Sequence, residues 1–284
     1  MTTDDIKDIY PFTSQYLEVD GGKYHYVDEG KGEVMLMLHG NPTWSFFYRD
    51  LISHFSKTHR VIAPDHIGCG LSDKPQDFEY RLENHINNVL QLIDKLNLQN
   101  ITLVVHDWGG AIGFGCAVKK APLFKQFVVF NTAAFVSQDI PFRISLCRLP
   151  ALGKIAVRGF NAFAGPATFT TTVKPLSEKI KAGFLLPYDN WQNRIATHEF
   201  VKDIPLEKNH PSRKTLEEID QGLAGLKDKP MLICWGKHDW CFNDKFLKVW
   251  KERFPTAKVH ELDAGHYLLE DKGDEIIWHI EKFI

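Results

Sequence analysis

The sequence of 284 residues is as informative in what it lacks as in what it holds. It has five cysteines, Cys69, Cys116, Cys147, Cys234 and Cys241. Their number is odd and none stands in the short paired spacing of a zinc or redox motif. A disulfide framework and a thiolate metal centre are excluded, and the thiols are expected to be reduced, as in a cytoplasm. Charge of one sign is also missing: 34 Lys and Arg against 36 Asp and Glu leave a net −2, without the basic footprint of a nucleic-acid binder. No apolar run reaches the ~20 residues that span a bilayer, and the opening Met1-Thr2-Thr3-Asp4-Asp5 is too acidic for a signal peptide. With 44% hydrophobic and 25% charged residues the chain has the composition of a globular domain, which excludes disorder.

What is present is an alternation of short β-branched runs with amphipathic helical stretches, the mark of an α/β fold with a parallel sheet covered on both faces. Residues 16–19 and 23–27 read as an antiparallel hairpin around Asp20-Gly21-Gly22. Strands are expected at 34–38, 60–63, 101–105, 127–130, 231–234 and 258–262. Helices are expected over 43–56, 111–119 and 275–283, and one carries Leu82, Ile86, Val89, Leu90, Ile93 and Leu96 on its buried face. Between 132 and 229 the alternation stops. The expected division is a core of 1–131 and 230–284 and a helical cap of 132–229. Phenylalanines at irregular spacing in the cap read one by one as plain core and, taken together, as walls of an apolar cavity under a lid. Phe135, Phe160, Phe163 and Phe169, with Trp240, are the expected lining.

The strongest chemical signal is Val105-His106-Asp107-Trp108-Gly109, where a strand turns sharply into a helix. That is the geometry of a nucleophile elbow, with Asp107 raised above the sheet in place of serine. Asp107 equally satisfies the requirements of a helix cap. Its partners favour chemistry. A nucleophile needs a base and the base an orienting acid, and in this chain order His266, just past the last strand, is the base and Asp239, after strand 231–234, is the acid. The other acid position, at the end of the preceding strand, holds Asn131, which carries no charge. His39 and His106 adjoin turns and read as structural imidazoles. The loop His39-Gly40-Asn41-Pro42 can supply backbone N–H groups facing the nucleophile. The Asn41 amide and the Trp108 indole are side-chain donors flanking the same carboxylate, suited to an anionic leaving group or, alternatively, to shaping a turn and packing. Gly68 and Gly70 lack the third glycine of a dinucleotide loop, and no metal motif is found, so no cofactor is expected.

These strings resemble the haloalkane dehalogenase branch of the α/β-hydrolase fold. The fuller runs Pro64-Asp65-His66-Ile67-Gly68-Cys69-Gly70-Leu71-Ser72, Asn131-Thr132-Ala133-Ala134-Phe135, Arg158-Gly159-Phe160-Asn161-Ala162-Phe163 and Gly265-His266-Tyr267-Leu268-Leu269-Glu270-Asp271 are similar to the β-lactone decarboxylases of bacterial long-chain olefin biosynthesis. The resemblance implies an apolar substrate, a cis-β-lactone bearing two long alkyl chains and converted to a cis-alkene and carbon dioxide. It also implies association with other olefin-pathway enzymes. Haloalkane hydrolysis is the alternative activity, and a non-catalytic binding protein of the same fold the remote one. Epoxide hydrolases would offer two cap tyrosines, and the cap here has Tyr188 alone. Fluoroacetate dehalogenases would place arginine where Trp108 stands.

Overall fold

The structure, a computed structural model, describes residues 2–284. Its centre is an eight-stranded sheet in the order β1-β2-β4-β3-β5-β6-β7-β8. The strands are β1 (Ser14–Val19), β2 (Gly22–Glu29), β3 (Val34–Leu38), β4 (Arg60–Pro64), β5 (Ile101–Asp107), β6 (Phe124–Thr132), β7 (Met231–Gly236) and β8 (Lys258–Leu262). β1 and β2 pair antiparallel, β2 joins β4 antiparallel, and every pair from β4 through β8 is parallel. The hairpin turns at Gly21 and Gly22, both at positive φ, as its composition requires. β3, β5 and β7 are buried along their whole length, which is why they read as continuous apolar runs rather than alternating ones.

Helices cover both faces and divide the core into two apolar clusters, one on each side of the sheet. The helices are α1 (Arg49–Phe55), α2 (Leu82–Lys95), α3 (Trp108–Lys119), α4 (Phe142–Cys147), α5 (Leu152–Lys154), α6 (Ala164–Thr170), α7 (Glu178–Leu185), α8 (Ile195–Lys202), α9 (Arg213–Gly222), α10 (Asp244–Arg253) and α11 (Leu268–Glu281). On α2 the buried stripe is Leu82, Ile86, Val89, Leu92 and Ile93, with Leu90 and Leu96 only partly covered at its edge. Each large aliphatic side chain on that stripe contributes roughly 1.5–3 kcal/mol of burial.

Between β6 and β7 no strand forms among the described residues, and α4 to α9 lie there as short helices over the C-terminal end of the sheet. This segment is tied down by side chains. The Trp44 indole donates to the Gly183 carbonyl at 3.1 Å, and the Tyr188 hydroxyl donates to the Thr43 carbonyl at 3.3 Å. Tyr188 is therefore buried against the core and does not line the cavity described below.

Candidate active site

β5 delivers Asp107 to the C-terminal edge of the sheet and turns there into α3. Asp107 has φ 50° and ψ −127°, a conformation that costs a non-glycine residue of the order of 1–3 kcal/mol and that packing on every side must hold. The Thr132 hydroxyl, at the end of β6, donates to the Asp107 carbonyl and fixes the turn from the side. Close approach is possible because the next residues are small: a Cβ on Gly109 would overlap the Leu38 carbonyl. α3 therefore begins at Trp108, three residues earlier than its apolar pattern indicates, since the elbow itself forms its first turn.

The two carboxylate oxygens of Asp107 have different surroundings. Oδ1 accepts the backbone N–H of Asn41 at 2.6 Å, and the Trp108 N–H also bonds the carboxylate. Oδ2 faces His266 Nε2 at 3.8 Å, too far for a hydrogen bond. Burial pushes the Asp107 carboxyl above its ordinary value, against the opposing pull of His266 and the two N–H groups.

His266 is held from behind. Its Nδ1 lies 2.7 Å from Asp239 Oδ2, and the other Asp239 oxygen accepts the N–H groups of Cys241 at 2.6 Å and Phe242 at 3.1 Å. Nδ1 therefore donates to Asp239 and the lone pair of the neutral ring falls on Nε2, toward Asp107. Burial alone would lower the His266 pKa, and the charge and hydrogen bond of Asp239, with Asp107 adding to them, raise it overall. His106 Nε2 donates to the His266 carbonyl at 2.9 Å, and His39 sits behind the loop with Nδ1 on the Gly40 carbonyl and Nε2 accepting from His66 N–H. Asn131 clamps β7, with its amide bonded both ways to Gly236.

Above Asp107 opens a cavity of about 540 Å³ whose floor is Asn41, Asp107, Trp108 and His266. Its walls are largely apolar and include Phe135, Phe163 and Trp240 of the expected lining. Phe160 and Phe169 are not in it: they are 81% and 68% exposed. Phe163, Pro166, Ala167 and Thr170 face the cavity at helical spacing, which turns Phe169 outward, where the Lys181 ammonium lies 4.6 Å from its ring centre. Phe160 precedes Asn161, whose φ of 53° breaks the helical course and leaves Phe160 on the outer surface. Phe242 and Phe246 line the wall instead, Phe242 from the turn that follows Asp239 and Phe246 from the first turn of α10. Asn41 Nδ2 donates to the Thr197 carbonyl of α8 at 3.1 Å, so one of its two N–H bonds already ties the loop to the cap, while Asn41 Oδ1 is buried without a partner. No cluster of potential metal ligands occurs among the described residues.

The model of the alpha/beta hydrolase fold family matches residues 33–273. The chain belongs to the α/β-hydrolase family. Within it, the chain is 45% identical to a cis-3-alkyl-4-alkyloxetan-2-one decarboxylase of Shewanella oneidensis, over 97% of this chain and 89% of that one. A protein of the same name from Xanthomonas campestris is 40% identical, over 97% of both chains. Haloalkane dehalogenase 2 of Mycobacterium bovis stands further off at 31%, over 94% of this chain and 93% of that one. Among solved structures, haloalkane dehalogenase DbeA from Bradyrhizobium elkani superposes with a TM-score of 0.87 at 25% identity, covering 95% of this α/β-hydrolase and 96% of that chain.

Proposed function

We propose that this α/β-hydrolase is a cis-3-alkyl-4-alkyloxetan-2-one decarboxylase, turning a β-lactone with two alkyl chains into a cis-alkene and carbon dioxide. The observation that carries the proposal is the setting of Asp107: its carboxylate is held by the backbone N–H groups of Asn41, on Oδ1, and Trp108, and stands at the floor of an apolar cavity facing His266. The 40–45% identity to the named decarboxylases supports the choice of substrate.

Asp107 Oδ2 attacks the alkyl carbon bonded to the ring oxygen, from the side opposite that bond. The carbon–oxygen bond breaks and its electron pair becomes a carboxylate, an anion matched by the Trp108 indole N–H and the remaining Asn41 amide N–H. Inversion leaves the Asp107 ester and the new carboxylate anti to each other. The bond from the carboxylate carbon then supplies the electrons of the double bond, carbon dioxide departs and Asp107 leaves as carboxylate. Inversion followed by anti fragmentation puts both alkyl chains on the same side, giving the cis-alkene. No proton and no water is consumed. In this sequence His266 acts as a polar neighbour to the Asp107 carboxylate rather than as a base. The reading places the chain in the cytoplasm, beside enzymes of olefin formation that supply its lactone.

The second reading is haloalkane hydrolysis, favoured by the lone pair of His266 Nε2, which points toward the Asp107 carboxylate and could take a proton from a water attacking an Asp107 ester. Turnover in heavy-oxygen water separates the two. Hydrolysis of an Asp107 ester places the water oxygen in the Asp107 carboxylate, whereas fragmentation leaves it unlabelled. Mass spectrometry of the Asp107 peptide after alkene formation is expected to find no label, and a labelled peptide would refute the fragmentation route.

A further inference from the structure

Large apolar side chains are exposed on one stretch of the cap. Phe142 and Leu152 are 75% and 69% exposed, and Leu149, Ile155, Phe160 and Phe169 also stand in solvent. A monomeric globular surface rarely gathers so many bulky apolar groups on one short segment without a use for them. The same segment is unusual in charge. Residues 140–177 contain Arg143, Arg148, Lys154, Arg158 and Lys174 and no Asp or Glu, a net +5 against −7 for the rest of the chain. Arg143, Lys154 and Lys174 form no salt bridge among the described residues, and all three are exposed. The segment also borders the way into the cavity: Arg143 and Leu146 are exposed and line it at once, between the outward Phe142 and Leu149.

We propose that the outer face of residues 142–174 docks this enzyme on an anionic phospholipid surface, with Phe142, Leu152 and Phe160 entering the acyl boundary and Lys154 and Lys174 meeting headgroup phosphates. Apolar side chains interspersed with unpaired cations, in a segment that carries no acidic residue of its own and meets the Asp271 carboxylate only through the backbone N–H groups of Val173 and Lys174, are what an anionic lipid interface selects. A protein partner would meet the lone cations with carboxylates at fixed positions, whereas headgroups meet them anywhere. Docked this way, the mouth of an apolar cavity faces the phase into which an apolar substrate partitions. The inference stands on the surface residues and holds whichever reaction Asp107 performs.

The test is flotation of the full chain with phosphatidylcholine vesicles, with and without phosphatidylglycerol. Binding is expected only with phosphatidylglycerol and to fade with added salt. Lys154→Gln with Lys174→Gln should weaken it roughly 25-fold, about five-fold for each basic residue near the surface. Phe142→Ser, Leu152→Ser and Phe160→Ser together should abolish it while leaving the melting temperature unchanged, because none of these side chains is buried. Absence of binding to phosphatidylglycerol vesicles, or binding unaltered in the triple variant, would overturn the proposal. So would a wild-type dimer in sizing runs that the triple variant turns into a monomer, since the face would then be covered by a second copy.

Discussion

The floor and the walls of the cavity are built by different rules. The reacting groups at the floor and the acid behind them are pinned by directional bonds to the sheet and its loops: Asp107 by Asn41 N–H, Trp108 N–H and Thr132, and Asp239, behind His266, by two N–H groups and the His266 ring. The walls, from Phe135 to Phe246, are held mainly by packing, with the Trp240 indole N–H donating to the Thr170 carbonyl. Directional bonds fix a reacting atom to a fraction of an ångström, and packing fixes only a shape. Changes in the floor should therefore stop the reaction, while changes in the walls should shift which substrates enter.

The sharpest way to break this contrast is Asp107→Asn, expected to lower alkene formation by at least about 10³-fold, measured by gas chromatography of the product. His266→Ala divides the two chemistries: decarboxylation should survive with a smaller loss than in Asp107→Asn, whereas haloalkane turnover should halt with an alkyl group on Asp107, visible by intact mass. The pH profile gives the same division. Asp107 must be ionised to attack, so the rate should rise with pH through a carboxyl value displaced above the ordinary range by burial. A rate that instead waits for deprotonation of His266, whose pKa is raised, would indicate a base-dependent step. Gly40→Ala comes next, since a Cβ there would collide with the Asp107 carboxylate; a loss of about 1–3 kcal/mol in stability, with turnover falling alongside, should appear in thermal melts and assays.

Behind the floor, Asp65 is a buried brace. It accepts the N–H groups of Ser45 and Leu71 and pairs with His25 at 2.8 Å. Burial would raise its pKa, and the charge and hydrogen bond of His25 outweigh it, bringing Asp65 down to about 2. A carboxyl depressed on folding stabilises the native state above its unfolded pKa and loses that contribution as pH falls through the folded one. Asp65→Asn should therefore remove about 2 kcal/mol at neutral pH, and the difference from wild type should vanish near pH 2, as read from denaturant melts. The smallest effects belong to the walls. Phe163→Ala should raise KM for long-chain lactones about tenfold or less, and Phe160→Ala should leave KM for a short soluble lactone unchanged.

The contrast also decides what could be read in advance. The strands, the elbow at Asp107 and the positions of Asp239 and His266 follow from chain order and from the Gly109 spacing, because a parallel sheet brings the C-terminal ends of its strands to one edge. Thr132 and the backbone groups of Cys241 and Phe242 carry no residue-type signal, since any residue offers an N–H and many threonines end strands. In the cap, short helices broken at Ala151 and Asn161, both at positive φ, keep no continuous period. A phenylalanine there has no readable direction, which is why Phe160 and Phe169 were expected inside and stand outside.

The central claim is that the Asp107 carboxylate does the chemistry on a β-lactone. The most direct measurement incubates the purified protein and its Asp107→Asn variant with a cis-dialkyl β-lactone and follows alkene by gas chromatography. The account predicts cis-alkene from the wild type and none above the enzyme-free control from the variant. Equal alkene from both proteins, or an untouched lactone together with halide release from a haloalkane, would contradict it.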